Sequence, residues 1–120
     1  MRHQNGSALV EVLVASAILG IGVSGLIMGQ TRASMDLQRV QWRMEARLLA
    51  TDYAEQLRAY GPAGLSATRR DRWRDRVRRR LPGGSATITP IAGAGTTRIR
   101  LEWRHPGESL PAGLRYAVRP

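Results

Sequence analysis

Residues able to do chemistry are few in this chain, and they are unevenly placed. One carboxylate, Glu11, stands inside an apolar run that opens after Gly6 with Ser7, Ala8, Leu9 and Val10, and that continues over 12–31 for 20 residues without a formal charge. An ionised carboxylate in such surroundings is costly unless a positive group answers it, so Glu11 is a charge-pairing candidate on physical grounds alone. The second concentration lies at 69–80, where eight Arg and two Asp give a local charge of +6 around Trp73. A basic stripe with an aromatic in it is one way to hold nucleic acid, and Arg69, Arg70, Arg74 and Arg78 are the candidates for that surface. The competing reading is a solvated or subunit-facing helix surface, with Arg72 and Arg76 interleaved with Asp71 and Asp75 and with Trp73 anchoring the helix. A further basic row, Arg39, Arg43 and Arg47, recurs every four residues and suits acidic neighbours or lipid headgroups.

Other chemistries are excluded by composition. All 19 basic residues are Arg, against 9 acidic residues, giving a formal charge of +10; Lys, Phe and Cys are absent. A disulfide framework, a cysteine zinc site and a thiol nucleophile are therefore ruled out. His3 and His105 lie about a hundred positions apart, so no histidine pair has metal-ligand spacing, and no cofactor, metal or enzymatic activity is expected. Gly20-x-Gly22-x-x-Gly25 matches the dinucleotide-binding pattern in letters only, because no strand precedes it and the following residues read as helix. Gly25 and Gly29 also form G-x-x-x-G, the spacing that lets helices approach closely in a membrane; the four glycines of this stretch would equally let a helix bend or unwind.

The elements that must position these groups follow from periodicity. With 120 residues the chain has room for one modest domain. The uncharged stretch at 12–31, if helical, spans roughly 30 Å, the hydrocarbon thickness of a bilayer. Beyond Thr31, apolar residues recur at Leu37, Val40, Met44 and Leu48 and then at Leu49, Tyr53, Leu57 and Tyr60, which predicts a single helix over about 8–60 with one apolar face in its second half, stopped by Gly61-Pro62. A second helix is predicted at 65–81, capped by Ser66, with Trp73, Val77 and Leu81 inward and Leu81-Pro82-Gly83-Gly84 as its stop. Alternation then switches to period two. Ile99, Leu101 and Trp103, and Leu114, Tyr116 and Val118, read as half-buried antiparallel strands, and 86–91 is a third strand held near an edge by Pro90. The expected class is α+β: a long N-terminal helix on a small antiparallel sheet, with a short Arg-rich second helix.

A polar leader with Arg2 that ends in Gly6, followed by Ser7-Ala8-Leu9-Val10-Glu11-Val12 and an uncharged helix, resembles the prepilin signal of type IV pilins and type II secretion pseudopilins. The resemblance implies cleavage after Gly6 by a prepilin peptidase and methylation of Ser7. It also implies pairing of Glu11 with the new α-amino group, in the same chain or a neighbouring subunit. Residues 1–6 would be the leader, 7–31 the membrane and filament-core half of the helix, and 32–120 a periplasmic globular domain anchored in the bacterial inner membrane by a single pass. Implied partners are other minor and major pilins, the prepilin peptidase, the inner-membrane assembly platform and membrane lipid.

Three departures narrow the resemblance. Ser7 replaces the usual Phe or Met after the cut, the membrane half has glycines instead of a helix-breaking Pro, and there is no C-terminal disulfide loop. With the stretch 73–88 and the strand ending in Leu101-Glu102-Trp103, these features make the chain similar to minor pilins of the PilV type, with GspI-type pseudopilins as near relatives. The alternatives are a minor pseudopilin of type II secretion and a DNA-binding competence pilin using the 69–80 surface. An ordinary secretory signal peptide is disfavoured by the length of the apolar run and by Glu11. A plain single-span anchor would be oriented by Arg32, Arg39, Arg43 and Arg47 with its C-terminal part in the cytoplasm, opposite to the prepilin topology.

Overall fold

The computed structural model describes residues 2–120, and side chains at 6–63 and 65–120. Of the leader expected at 1–6, position 1 and the side chains of 2–5, Arg2 and His3 among them, lie outside the described residues. Five elements follow in chain order: α1 (Arg2–Gly64), α2 (Ala67–Arg80), β1 (Ser85–Ile91), β2 (Thr96–Trp103) and β3 (Ala112–Val118). The class is α+β, as the sequence predicts. The chain divides into two compact units, one ending at Gln38 and the other comprising Arg39–Pro120.

The first unit is helix. Its large apolar side chains, from Leu9 through Met28, are all exposed in the isolated chain. The hydroxyls within the uncharged stretch turn back on the helix: Ser16 donates to the Val12 carbonyl at 2.8 Å, Ser24 to Gly20 at 2.8 Å and Thr31 to Ile27 at 3.0 Å. A hydroxyl bonded to the carbonyl four residues back needs no water, which suits a segment surrounded by hydrocarbon. Gly20, Gly22, Gly25 and Gly29 keep helical geometry, since the one non-helical residue within α1 is Gly61. Local unwinding at those glycines is therefore not seen.

The second unit contains the core. Ala46, Leu49, Ala50, Tyr53, Ala54 and Leu57 of α1 pack with Trp73, Val77 and Leu81 after Ser66, and with Ile99, Leu101, Trp103 and Val118 of the sheet. The single apolar face expected for the second half of the first helix is corrected here. Leu49 and Tyr53 are 5% and 1% exposed, whereas Val40, Met44 and Leu48 are 55%, 59% and 64% exposed. The reason is geometric: Leu48 to Leu49 is a step of one residue, about 100° around the helix, so the series crosses from one side to another there. The buried side is completed by three alanines, small enough for neighbouring elements to approach closely.

Gly61 ends the regular helix with φ 68° and ψ 167°, a conformation that favours glycine, and Pro62 starts a last short turn. Ser66 caps α2, its hydroxyl accepting from the Arg69 amide at 3.3 Å. At the other end the chain turns tightly through Pro82 and Gly83. The Gly84 amide donates to Leu81 at 3.0 Å, and a Cβ on Gly84 would lie 2.6 Å from the Val77 carbonyl oxygen. The strands form an antiparallel sheet in the order β1-β2-β3, with Leu101 between Ala86 and Leu114 and Ile99 between Ile88 and Tyr116. Pro90 sits on edge strand β1, where its missing N–H is least costly.

Candidate assembly segment and basic helix

Gly6, Ser7, Val10, Glu11, Val14, Ala15 and Ile18 share one face of α1. Ser7 and Glu11 are one turn apart, so an amino group on Ser7 would lie within reach of the Glu11 carboxylate. Both side chains are exposed in the isolated chain, and the neighbours they share are otherwise apolar. A carboxylate placed there favours insertion next to a positive group over insertion alone. Further along, a Cβ added at Gly25 or Gly29 would meet nothing within 4 Å. These two positions leave the helix backbone bare, open to close approach by another helix.

The basic helix is tied into the second unit by both charge and packing. Trp73 is fully buried, its indole N–H donates to the Leu49 carbonyl at 2.9 Å, and its ring lies 4.5 Å from that of Tyr53. Arg76 bridges to Asp52 at 3.0 Å and Arg80 to Glu45 at 2.7 Å, both across to α1. Arg74 pairs with Asp71 at 3.7 Å and Arg78 with Asp75 within the helix. Arg69 sits over the Tyr60 ring, 4.2 Å from its centroid. Of the four surface candidates, Arg69 and Arg78 are thus engaged at close range, Arg74 has only its long contact with Asp71, and Arg70 makes no ion pair among the described residues. All of these pairs are solvent-exposed, so each contributes at most about 1 kcal/mol; the buried Trp73 decides the docking of α2.

Sequence periodicity did not identify Asp52, Glu45 or Tyr60 as partners of the basic helix. The signal available was weak: acidic residues on the polar flank of α1, with nothing to fix their distance from α2. Tyr53 was expected as core, yet its hydroxyl has a polar setting. Burial raises its pKa above 10.0, while the nearby charges of Arg70 and Arg74 act in the opposite direction. Among the described residues no group of three or more His, Asp or Glu is placed to hold a metal. The glycine pattern Gly20-x-Gly22-x-x-Gly25 lies in mid-helix with no strand before it, which removes the phosphate-cradling turn that dinucleotide binding needs.

Along α1, the stretch Gly6–Ala63 is long and apolar enough to cross a membrane, and its most apolar part has none of its surface buried within the chain. No curated protein and no solved structure shows significant similarity to the chain. Residues 1–27 match the family model described as "Prokaryotic N-terminal methylation motif". A signal of this type implies processing by a prepilin peptidase and assembly with pilus machinery, and with the apolar helix it is consistent with membrane anchoring. The chain therefore carries a type IV pilin-like prepilin signal, the feature shared by type IV pilins and pseudopilins.

Proposed function

We propose that the chain is a minor type IV pilin of the PilV type, a structural subunit that assists initiation and assembly of the pilus. The observation that carries this reading is the prepilin-type match over residues 1–27, continuous with an apolar helix whose large apolar side chains are exposed in the isolated chain. In this reading the cut falls after Gly6, Ser7 becomes a methylated N-terminus, and Glu11 neutralises that amine or a neighbouring subunit's. Residues 7–31 hold the subunit in the inner membrane and later in the filament core, Gly25 and Gly29 admit neighbouring helices, and residues 32–120 form the periplasmic domain. Other minor and major pilins and the assembly platform are its partners. Four of the eight α2 guanidiniums, those of Arg69, Arg76, Arg78 and Arg80, are engaged at close range by Tyr, Asp or Glu, which favours a structural role for the basic helix over DNA capture.

The reading is tested at Glu11. The Glu11→Ala subunit is expected to insert into the inner membrane as well as the parent, or better, because a carboxylate is removed from hydrocarbon. Its recovery in sheared filaments should drop at least several-fold, measured by quantitative immunoblotting. Unchanged recovery would contradict the pairing role. Expression of the parent in cells that make only a type II secretion system, with incorporation into its short filament, would favour the pseudopilin reading.

A further inference from the structure

Behind the basic helix, a cavity of about 150 Å³ opens between the end of α1, α2 and the sheet. Its lining divides into two chemistries. Arg70 and Arg74, one turn apart on α2, line it together with Tyr53 of α1 and Thr97 of β2; Leu57 and Ile88 are among its apolar lining. Tyr53 is 1% exposed and Thr97 is 6% exposed, and among the described residues neither hydroxyl is sealed off without a partner, so each keeps access to the cavity. Two hydroxyls lining one cavity beside two guanidiniums give an occupant with oxygen acceptors neutral donors as well as charged ones. Arg70 has no ion pair among the described residues. Arg74 has only a long contact of 3.7 Å with Asp71, which leaves most of its five donors uncommitted.

We propose that this cavity is a binding site for a small, doubly charged oxyanion of the phosphate or sulfate class, held by Arg70 and Arg74 with the hydroxyls of Tyr53 and Thr97 donating to its oxygens. The size of the cavity selects the class. Pockets for drug-sized organic ligands run to about 300 Å³ and above, whereas this one is half that and suits a tetrahedral ion with a little water. Two guanidiniums at i, i+4 supply two positive charges and planar donor forks, a match for a dianion rather than for a monocarboxylate. The fold makes the site through Gly61. Its left-handed break precedes Pro62, which lines the cavity, and the Ser66 cap starts α2, whose Arg70 and Arg74 line it as well. The site is independent of the pilin reading, since it rests only on the second unit.

Isothermal titration of the full-length chain in detergent micelles with inorganic phosphate, at constant ionic strength in chloride, tests the proposal. Saturable binding is expected, with acetate weaker. Arg70→Gln and Arg74→Gln should each weaken phosphate binding about tenfold or more, while Arg72→Gln and Arg79→Gln, which remove the same charge elsewhere on α2, should change it less than about twofold. Circular dichroism identifies any variant that fails to fold, and Arg74→Lys, which keeps the charge, then serves as the partial-rescue control. Absence of saturable phosphate binding overturns the proposal. So does an equal loss in all four Gln variants, which would mean that only the general field of the helix attracts the ion, or acetate binding as tight as phosphate.

Discussion

The residues up to Gln38 and those from Arg39 onward use the same helical backbone under opposite rules. In the first unit every large apolar side chain from Leu9 to Met28 is exposed, and within its uncharged stretch the hydroxyls of Ser16, Ser24 and Thr31 are turned inward to the helix's own carbonyls. In the second unit an apolar core is inside and the charges outside, with Trp73, Tyr53, Ile99 and Leu101 buried and the arginines on the surface, although Val40, Met44 and Leu48 on the other side of α1 stay exposed. One segment is built for an apolar surrounding and the other for water. The prepilin-type match covers the first segment, which has no core of its own to fold around.

If the two units are stabilised by different means, substitutions should separate them. The largest separation is expected from Trp73→Ala. Loss of a fully buried indole that also caps its N–H on Leu49 should destabilise the second unit by about 3–5 kcal/mol, seen in denaturant unfolding followed by Trp42 and Trp103 emission. Membrane insertion of the chain, assayed by carbonate extraction, should be unchanged. A Trp73→Ala chain that no longer fractionates with membranes would merge what the comparison separates.

Gly84→Ala should have a smaller effect of the same kind. The added Cβ falls 2.6 Å from a backbone oxygen that cannot swing away, so the turn into β1 must shift, at about 1–3 kcal/mol. Adding the same methyl at Gly25, where nothing lies within 4 Å, should leave the melting of the isolated chain unchanged and instead reduce co-purification with filament partners. If Gly25→Ala lowered the melting temperature in detergent, the bare strip would already be occupied within the chain.

The smallest effect concerns pH. Burial holds the Tyr53 hydroxyl protonated above its ordinary value of 10.0. Above pH 10 the unfolded chain releases this proton while the folded chain retains it. The stability that Tyr53 contributes is therefore complete below pH 10 and declines as pH rises toward the folded value. Tyr53→Phe should flatten that alkaline decline in thermal melts between pH 9 and about 11. An unchanged decline in the Phe variant would assign it to other groups.

Much of this architecture can be read from residue order. Glycine before an apolar run with an embedded Glu marks the signal. Ser66 and the Leu81-Pro82-Gly83-Gly84 turn bracket α2, and alternation at Ile99, Leu101 and Trp103 locates the central strand. Large residues alone give the wrong apolar face for α1, because its buried side is built in part from alanines. Ala46, Ala50 and Ala54 mark the side that other elements approach, and Leu48 next to Leu49 marks the crossing from one side to another. Partnerships across elements, such as Arg76 with Asp52, are invisible for a different reason. Periodicity places a residue on a face of its own element, but says nothing about how far that face lies from the next. The cavity at Tyr53 and Thr97 depends on such distances in three elements at once, so neither residue stands out in the sequence.

The most direct test of the prepilin assignment is intact-mass and N-terminal peptide analysis of the protein extracted from membranes of cells with an active prepilin peptidase. A mature chain starting at Ser7, carrying the mass of one methyl group on its amine, is the expected result, with Gly6→Val left uncut. A chain still starting at residue 1, or one cut after the apolar stretch by a signal peptidase, would contradict it.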